Sequence, residues 1–321
     1  MAISKEASIP FVESQDLNVE HDTFASDEMT PTPSKLVIAT FNIRYAVGSF
    51  LISGSILRRL GFEMPRRRPN LVAYHIRLAA LALTNNVLMP RVDILALQEA
   101  DKETDRAGRV HVARELARKL GMYYAHAPQM IPRGEEQKSK QWYLDFEEHL
   151  APDESGDTGL AMLSRFPFHD TTRIELPWSE CAWRPRLAMK SVVHVGQMEL
   201  TIFNAHIDPH ASTDDQLEQH KAIIASAQNS SGPTVLLGDY NTLTSESRLR
   251  MRGLLEASGY STPFRDGVAT WRAGLIRLQP DWIFVRNAHI LRFGVAKPLR
   301  VSDHWPVWIE LALDHQGEES S

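Results

Sequence analysis

Short apolar runs recur along the chain, and each is bounded on one side by a cluster of polar side chains. Four runs, at residues 35–41, 92–97, 199–203 and 234–237, end in such a cluster, and a fifth, at 307–313, begins after one. Apolar runs of this length with polar borders are typical of buried β-strands. A buried strand does not need amides, carboxylates or imidazoles at its end. Such clusters, if they meet at one edge of a sheet, predict a ligand site at the strand termini.

Helices are predicted between these runs from capping residues and apolar spacing. They cover residues 70–88, 109–120, 213–227 and 245–259. In the first of them, Leu71 is among the side chains expected to face inward. Strands mixed with helices, without strict alternation, favour an α/β layered fold over a doubly wound sheet.

The polar clusters contain side chains that bind hard cations, phosphates or protons. The candidates are Asn42, Glu99, His206, Asp239, Asn241, Asp281, Asp303 and His304. At residues 302–304 a carboxylate and an imidazole stand together at the start of the last strand, where an imidazole can transfer protons near neutral pH. Taken alone, this tripeptide is equally typical of a surface turn, but the other polar strand ends favour a site.

Composition narrows the functional class. The chain has 321 residues and a net charge of −5, so the whole protein is not a polycation that binds nucleic acid by charge alone. A single cysteine, Cys181, excludes an internal disulfide and fits a reducing compartment, so we expect a cytoplasmic protein. No run reaches the roughly 18 uninterrupted apolar residues of a membrane-spanning helix.

The polar clusters are spread over nearly the whole length, which predicts one catalytic domain at residues 35–313. Residues 1–34 are polar and acidic, with Pro31 and Pro33 just before the first strand, and this composition predicts a disordered leader. Residues 314–321 are predicted to be a disordered tail for the same reason. We expect the protein to be a monomer.

Six short motifs occur in a fixed order along the chain. They are Thr-Phe-Asn-Ile-Arg at 40–44, Leu-Gln-Glu at 97–99, Asn-Ala-His-Ile-Asp at 204–208, Gly-Asp-Tyr-Asn at 238–241, Pro-Asp-Trp-Ile-Phe-Val at 280–285 and Ser-Asp-His at 302–304. The series resembles the motifs of the endonuclease/exonuclease/phosphatase superfamily, in the family order. One motif alone is weak evidence, but six in order are specific. The resemblance implies a four-layer α-β-β-α sandwich, with two packed mixed sheets and helices outside, that hydrolyses phosphate esters with a divalent metal.

The resemblance also implies a metal site. Glu99 matches the principal metal ligand, Asn42 its partner amide, and Asp303 a contributor from the other side. Mg²⁺ and Mn²⁺ prefer oxygen ligands, and Mg²⁺ keeps several waters, so one or two acids suffice. The expected cofactor is therefore Mg²⁺ or Mn²⁺.

Catalytic roles follow from the same resemblance. Asp239 would align and activate the attacking water, and Asn241 would hold that water or the phosphate. His304, paired with Asp281, would be either the general base or a donor to a phosphoryl oxygen. His206 would donate to the phosphoryl oxygens or protonate the leaving oxygen. The two histidine roles stay open.

Four further candidate residues lie in the motifs or near them. Arg44 and Arg186 are candidates for binding the substrate phosphate. Asp208 and His210 could extend the site, but their position in a turn favours a role at the entry of a helix.

We expect a phosphodiesterase that works by in-line attack of an activated water. His206 favours branches resembling deoxyribonuclease I and neutral sphingomyelinase. The substrate could be a small phosphodiester, a lipid head group or a nucleic acid, so a DNA or RNA nuclease is the main alternative, and a phosphomonoesterase is not excluded. A catalytically silent binding module with the same fold is a second alternative, against which the intact set of site residues counts.

Two segments are longer than the motif series requires. Residues 45–69 carry an apolar stripe and five arginines, which could grip a phosphate-rich or lipid substrate or form the solvated face of a local subdomain. Residues 130–157 carry aromatic side chains that could form a flap over the site or a surface excursion. Leu160 stands where many relatives carry an amide, which predicts an altered pocket.

Overall fold

The computed structural model describes residues 13–14, 19–25, 33–48, 67–130, 154–178 and 186–313. The described strands, numbered in chain order, form two large sheets and one hairpin. The six-stranded sheet has the order β1-β7-β8-β9-β10-β13, with β1 at Glu13–Ser14, β7 at Phe168–Glu175, β8 at Leu187–Val195, β9 at Met198–His206, β10 at Thr234–Asp239 and β13 at Asp281–Arg286.

The seven-stranded sheet has the order β14-β15-β3-β4-β6-β5-β2, with β14 at Ile290–Val295, β15 at Val307–Ala312, β3 at Lys35–Asn42, β4 at Ile94–Gln98, β6 at Gly159–Ser164, β5 at Tyr123–Pro128 and β2 at Glu20–Thr23. The separate hairpin consists of β11 at Trp271–Ala273 and β12 at Ile276–Leu278.

Both sheets are mixed. β3 lies parallel to β4, and β9 lies parallel to β10, whereas the other paired strands of the two sheets are antiparallel. Parallel neighbours bring their carboxyl ends to one edge of a sheet. The polar clusters that follow these four strands therefore meet at an edge in each sheet.

Helices cover the outer faces of the two sheets. The helices are α1 at Arg67–Thr84, α2 at Val112–Leu120, α3 at Thr213–Ala227 and α4 at Ser245–Ala257. β3 shows how one strand serves two cores, because its side chains alternate. Leu36 and Ile38 pack between the sheets, whereas Val37 and Phe41 pack in a second core with α1 and α2. The predicted four-layer sandwich is confirmed.

The helix ends differ in detail from those predicted. α1 begins three residues before Asn70 and ends at Thr84, and Leu71 is exposed rather than inward. Pro69 is tolerated because the first helical turn makes no use of its missing N–H. The bounds of α3 are those predicted, and its N-cap is Ser212, whose hydroxyl accepts from the backbone N–H of Asp215.

Part of the segment predicted to be a disordered leader has a regular place in the structure. Glu20–Thr23 forms the edge strand β2 and pairs with β5. The Glu20 carboxylate accepts hydrogen bonds from Lys102 and Tyr124. Composition alone does not detect a four-residue edge strand, because such a strand buries little apolar area of its own.

Several sequence features fall outside the described residues. These are positions 49–66 and 131–153, which hold most of the two long segments, and Cys181. Leu160 is described, and it packs in the core between the sheets. None of the helices in the described part of the chain is long and apolar enough to span a membrane.

Candidate active site

The strand register brings the predicted residues to neighbouring strand ends. In the seven-stranded sheet, Asn42 at the end of β3 is aligned with Gln98 at the end of β4. In the six-stranded sheet, Asp239 at the end of β10 is flanked by His206 on β9 and Asp281 on β13. The two groups face each other where the sheets pack together.

Asn42 connects these two groups. Its Nδ2 donates to Oε1 of Glu99 at 3.0 Å and to Oδ2 of Asp239 at 2.8 Å. Its Oδ1 accepts from the backbone N–H of Arg44 at 3.0 Å. The side chain is buried, so a neutral amide holds two carboxylates that would otherwise repel each other at close range.

The backbone is strained where three of the site residues stand. Arg44, Glu99 and Asn241 have φ angles of 46°, 51° and 48°, in the left-handed region that L-residues other than asparagine rarely adopt. The backbone N–H of Tyr45 donates to the carbonyl of Glu99 at 3.1 Å and ties two of these turns together. Such strain is typical of functional sites, because the surrounding structure must stabilise it.

His304 lies between two carboxylates. Its Nδ1 is 2.9 Å from Oδ2 and 3.0 Å from Oδ1 of Asp281, and its Nε2 is 3.8 Å from Oδ2 of Asp239. Thr270 donates to Oδ2 of Asp281 at 2.7 Å and fixes that carboxylate. Burial lowers the pKa of His304, but the two carboxylates outweigh burial and raise the pKa to about 10. The ring is therefore an imidazolium near neutral pH.

Asp239 is buried and tightly held. Its Oδ1 accepts from the backbone N–H of Asn241 at 3.0 Å, and the Asn241 side chain donates to the carbonyl of Ile207 at 2.8 Å. Burial raises the pKa of Asp239 to about 7, although the positive charge of His304 acts in the opposite direction and lowers it. The imidazolium of His304, 3.8 Å away, favours the ionised form of this carboxylate.

His206 stands between the acids and an arginine. Its Nε2 is 3.7 Å from Oδ2 of Asp239 and 4.0 Å from Oε1 of Glu99. Its Nδ1 is 3.4 Å from Nη1 of Arg186, whose Nη2 is 3.9 Å from Oδ1 of Asp208. Because a guanidinium only donates, Nδ1 is the acceptor, and the proton of the neutral ring lies on Nε2.

Arg44 and Asp303 lie against each other. Nη1 of Arg44 is 3.3 Å from Oδ2 of Asp303 and donates to the carbonyl of Gly48 at 3.4 Å. Ser302 donates to Oδ1 of Asp303 at 3.2 Å. Thus each arginine predicted to bind phosphate, Arg44 or Arg186, has a carboxylate beside it.

The profile of the Endonuclease/Exonuclease/phosphatase family matches residues 39–304. The chain belongs to this family. The matched residues begin before Asn42 and end at His304, so they include all of the polar strand ends described above. No curated protein sequence matches the chain.

Solved structures of the family share the fold at low identity. An endonuclease/exonuclease/phosphatase from Beutenbergia cavernae is 17% identical, with a TM-score of 0.60 over 88% of this chain and 72% of that one. A mannosyl-6-phosphatase from Bacteroides thetaiotaomicron is 18% identical, with a TM-score of 0.52 over 87% and 100%. ANGEL2, a 2′,3′-cyclic phosphatase, is 14% identical, with a TM-score of 0.52 over 92% and 99%. Identities this low establish the fold alone.

Members of this family are divalent-metal-dependent phosphoester hydrolases, and the donors of the site fit such an ion. Five carboxylates face two guanidiniums and one imidazolium, and Asp239, with a pKa of about 7, is only partly ionised near neutral pH, so these groups leave an excess of between one and two negative charges. The carboxylates are Glu99, Asp208, Asp239, Asp281 and Asp303, and the cations are Arg44, Arg186 and His304. A divalent cation would offset that excess.

Two groups of side chains are candidates to hold the ion. Potential ligand atoms of Asp239, Asp281 and His304 lie within 4.8 Å of one another. However, the hydrogen bonds between Asp281 and His304 occupy two of these three groups. The carboxylate of Glu99, which the Asn42 amide holds at 3.0 Å, is therefore the better fit for a hard cation.

The sequence did not identify Thr270 and Asn204, which support the site, and it favoured a helix-entry role for Asp208. Thr270 lies 11 positions before Asp281, and no local pattern links the two. Asn204 accepts from Gln98 at 2.7 Å and shares a strand face with His206 two residues on, so period-two spacing could have revealed it. Asp208 does accept from the backbone of His210, as a turn residue would, but it is also buried beside Arg186.

Proposed function

We propose that the protein is a metal-dependent phosphodiesterase that hydrolyses its substrate by in-line attack of water. The proposal rests on the groups that surround one carboxylate oxygen of Asp239. Oδ2 of Asp239 accepts from Asn42 at 2.8 Å and lies 3.7 Å from His206 and 3.8 Å from His304. A carboxylate between two imidazoles is suited to orient a water and to exchange its proton.

Asp239 is proposed to align and activate the attacking water, with Asn241 beside it. The Asn241 backbone fixes one oxygen of the carboxylate and leaves the other oriented toward the histidines. The Asn241 side chain is held in turn by the carbonyl of Ile207. Both residues are thereby positioned before substrate arrives, which lowers the reorganisation needed in the transition state.

The two histidines are proposed to donate protons or hydrogen bonds to the reacting phosphate. Asp281 accepts from Nδ1 of His304, so Nε2–H of that ring points toward Asp239 and the reaction centre. Arg186 donates to Nδ1 of His206, so the Nε2–H of that ring is also available. We assign His304 to a phosphoryl oxygen and His206 to the leaving oxygen.

Glu99, Asn42 and Asp303 are proposed to hold the metal, with Mg²⁺ or Mn²⁺ as the ion. When bound, such an ion supplies positive charge at the phosphoryl oxygens as negative charge develops there. Arg44 and Arg186 would add to that charge only in part, because Asp303 and Asp208 lie beside them.

This partial neutralisation favours a phosphodiester over a phosphomonoester. A diester carries one negative charge, whereas a monoester carries up to two near neutral pH. A site whose two arginines both lie beside carboxylates provides less positive charge for a dianion. Solved family members include a mannosyl-6-phosphatase and a 2′,3′-cyclic phosphatase, which supports phosphoester chemistry in general.

The test is a substrate panel with controlled metal. The purified chain is assayed on bis-p-nitrophenyl phosphate, p-nitrophenyl phosphate, plasmid DNA, RNA and sphingomyelin, with Mg²⁺, Mn²⁺ or chelator. We expect diester hydrolysis that disappears with chelator and exceeds monoester hydrolysis. Glu99→Gln should raise the metal concentration for half-maximal rate by more than about tenfold, because one acid carries much of the metal affinity.

Glu246→Gln is the matched control. This glutamate lies on α4 with its side chain 71% exposed, and its loss should leave the metal dependence as in the wild type. Hydrolysis that persists in chelator, or a faster rate on the monoester, would contradict the proposal. A chain that binds phosphate esters but cleaves none of them would favour the silent binding module.

A further inference from the structure

The hairpin of β11 and β12 projects from the site and ends in exposed apolar side chains. Leu275 is 100% exposed and Ile276 is 61% exposed. Single exposed apolar side chains are common on protein surfaces. Two adjacent ones at the tip of a projecting hairpin are different, because no part of their own sheet is available to cover them.

The turn explains why the tip cannot bury itself. Ala273 pairs with Ile276, so the loop has only two residues, Gly274 and Leu275. Gly274 has a φ of 59°, and glycine at this first loop position is typical of tight hairpins. Leu275 must therefore stand at the outermost point of the hairpin.

Positively charged side chains flank the apolar tip on both strands. Arg272 and Arg277 are directly opposite each other on the paired strands. Like charges in that position destabilise a hairpin. Residues 267–280 contain no aspartate or glutamate. Nζ of Lys297 adds a third cation nearby, 4.8 Å from the ring centroid of Trp305 and close enough to Arg277 for the arginine to lower its pKa, after the larger effect of burial.

The base of the hairpin forms backbone hydrogen bonds with residues of the candidate active site. The backbone N–H of Arg272 donates to the carbonyl of Asp303 at 2.9 Å, and Trp271 forms a bridge with His304. The hydroxyl of Thr270, the residue before the hairpin, donates a hydrogen bond to Asp281. The hairpin is thus fixed beside His304, which precedes β15, so a surface that binds the tip lies next to the candidate site.

We propose that the hairpin at residues 271–278 docks the active site on a phospholipid surface, where the enzyme hydrolyses the phosphodiester of a lipid head group. The proposal rests on the proposed function and names its substrate class. An apolar tip ringed by cations matches a membrane interface, where side chains such as leucine enter the acyl boundary and arginines meet lipid phosphates. The two opposed arginines would then have an anionic partner.

A nucleic acid accounts for the arginines but less well for the tip. Single strands are bound by aromatic stacking together with basic side chains, and duplexes chiefly by basic and polar contacts to phosphates. Leu275 and Ile276 offer neither a ring nor a charge. The lipid surface accounts for both the apolar and the cationic features, so it is the occupant that the hairpin favours.

The first test measures binding without catalysis. The full chain, in chelator, is floated with phosphatidylcholine vesicles that either contain or lack phosphatidylserine. We expect the wild type to float with the vesicles, and the double variant Leu275→Gln, Ile276→Gln to bind at least about tenfold more weakly, given the area that two aliphatic side chains bury. Arg277→Gln should reduce the preference for phosphatidylserine.

Val87→Gln is the matched control. Val87 is 76% exposed and lies just beyond the end of α1. In the chain it precedes the start of β4, whereas Glu99 follows the end of that strand. This variant should float as the wild type does. A wild type that stays unbound, or a double variant that floats equally well, overturns the proposal.

The second test compares turnover of vesicle phospholipid with that of soluble bis-p-nitrophenyl phosphate. We expect the double variant to lower the ratio of the two rates at least about tenfold. Cleavage of an oligonucleotide that depends on Leu275 and Ile276, with no cleavage of phospholipid, would overturn the proposal and assign the hairpin to nucleic acid. If the wild type does not hydrolyse soluble bis-p-nitrophenyl phosphate, the proposed function is contradicted. Flotation still decides whether the hairpin docks on the vesicles.

Discussion

Nδ2 of Asn42 donates a 2.8 Å hydrogen bond to Oδ2 of Asp239 and so joins the two sheets at the candidate active site. Asn42 ends β3 of the seven-stranded sheet, and Asp239 ends β10 of the six-stranded sheet. Both side chains are buried. The distance between the residues proposed for metal binding and for water activation is therefore set by how the sheets pack, rather than by a flexible loop.

Asn42→Asp should disrupt this junction. The new carboxylate would face Glu99 and Asp239 and could no longer donate to them. We expect a loss of unfolding free energy of about 1–3 kcal/mol in chelator, the usual cost of leaving buried polar groups unpaired. Urea unfolding measures this loss, and turnover of a soluble diester should fall in parallel.

The matched control is Asn85→Asp. Asn85 is exposed, and its Oδ1 accepts from the backbone of Val87 at 3.0 Å, which an aspartate can also do. Its stability should change by less than about 0.5 kcal/mol. Equal stability of Asn42→Asp and the control would show that the Asn42 amide does not hold the acids.

A second prediction concerns the pair of His304 and Asp281. His304→Ala should lower turnover roughly a hundredfold or more, the usual scale for a positioned proton donor. Asp281→Asn should cost less, because it misorients the ring without removing it. A double-mutant cycle measures the coupling, and fully additive losses would show that the two residues act independently.

The position of the site could be predicted from sequence because its chemistry stands at strand ends. Continuous apolar runs predict β3 and β10, and the polar residues that follow these runs lie where the strands end. Asn42, Glu99, His206 and Asp239 follow such runs, whereas Asp281 and His304 precede theirs and were identified with the help of the motif series. The contacts among them follow from the packing of two sheets, which no local pattern contains.

Features that depend on long-range contact could not be predicted. Thr270 supports Asp281 only because the chain between them folds back as a hairpin. Asp208 reads as a turn residue in sequence, and its position beside Arg186 depends on the neighbouring strand. The edge strand at Glu20–Thr23 is too short for its apolar pattern to stand out, and its partners come from β5 and from Lys102.

Buried histidines predict a loss of stability in acid. Burial lowers the pKa of His111 and of His220 to about 3, and it lowers that of His126 as well. The unfolded chain, with histidine pKa near 6.5, therefore takes up protons before the folded protein does. Stability should be complete above pH 6.5 and fall by about 1.4 kcal/mol per pH unit for each such histidine below it.

Urea unfolding between pH 4 and pH 8 measures this slope, and His220→Phe isolates one contributor. The ring of His220 packs edge-on against Tyr240 at a centroid distance of 4.6 Å, which a phenylalanine can reproduce without titrating. The variant should show a shallower fall below about pH 6.5. An unchanged slope would mean that His220 takes up a proton as readily in the folded protein as in the unfolded chain, which would contradict the effect of burial on its pKa.

The last prediction tests whether residues 1–33, whose composition predicts a disordered leader, stabilise the fold. A disordered leader could be removed without effect, but residues 1–33 contain β2, whose Glu20 accepts from Lys102 and Tyr124 and lies 3.3 Å from His111. Deleting residues 1–33 should therefore lower the melting temperature by several degrees, since about 1 kcal/mol shifts a large domain by roughly 2–4 °C.

Glu20→Gln distinguishes the strand from its charge. Burial by itself would raise the pKa of Glu20, but the hydrogen bonds from Lys102 and Tyr124 outweigh it and lower the pKa to about 2. The carboxylate therefore stabilises the fold above its unfolded pKa, and that contribution is lost as the pH falls toward 2. We expect Glu20→Gln to melt between the deletion and the wild type at pH 7 and to approach the wild type in acid. A deletion that melts like the full chain would show that β2 contributes nothing and that composition alone describes this segment.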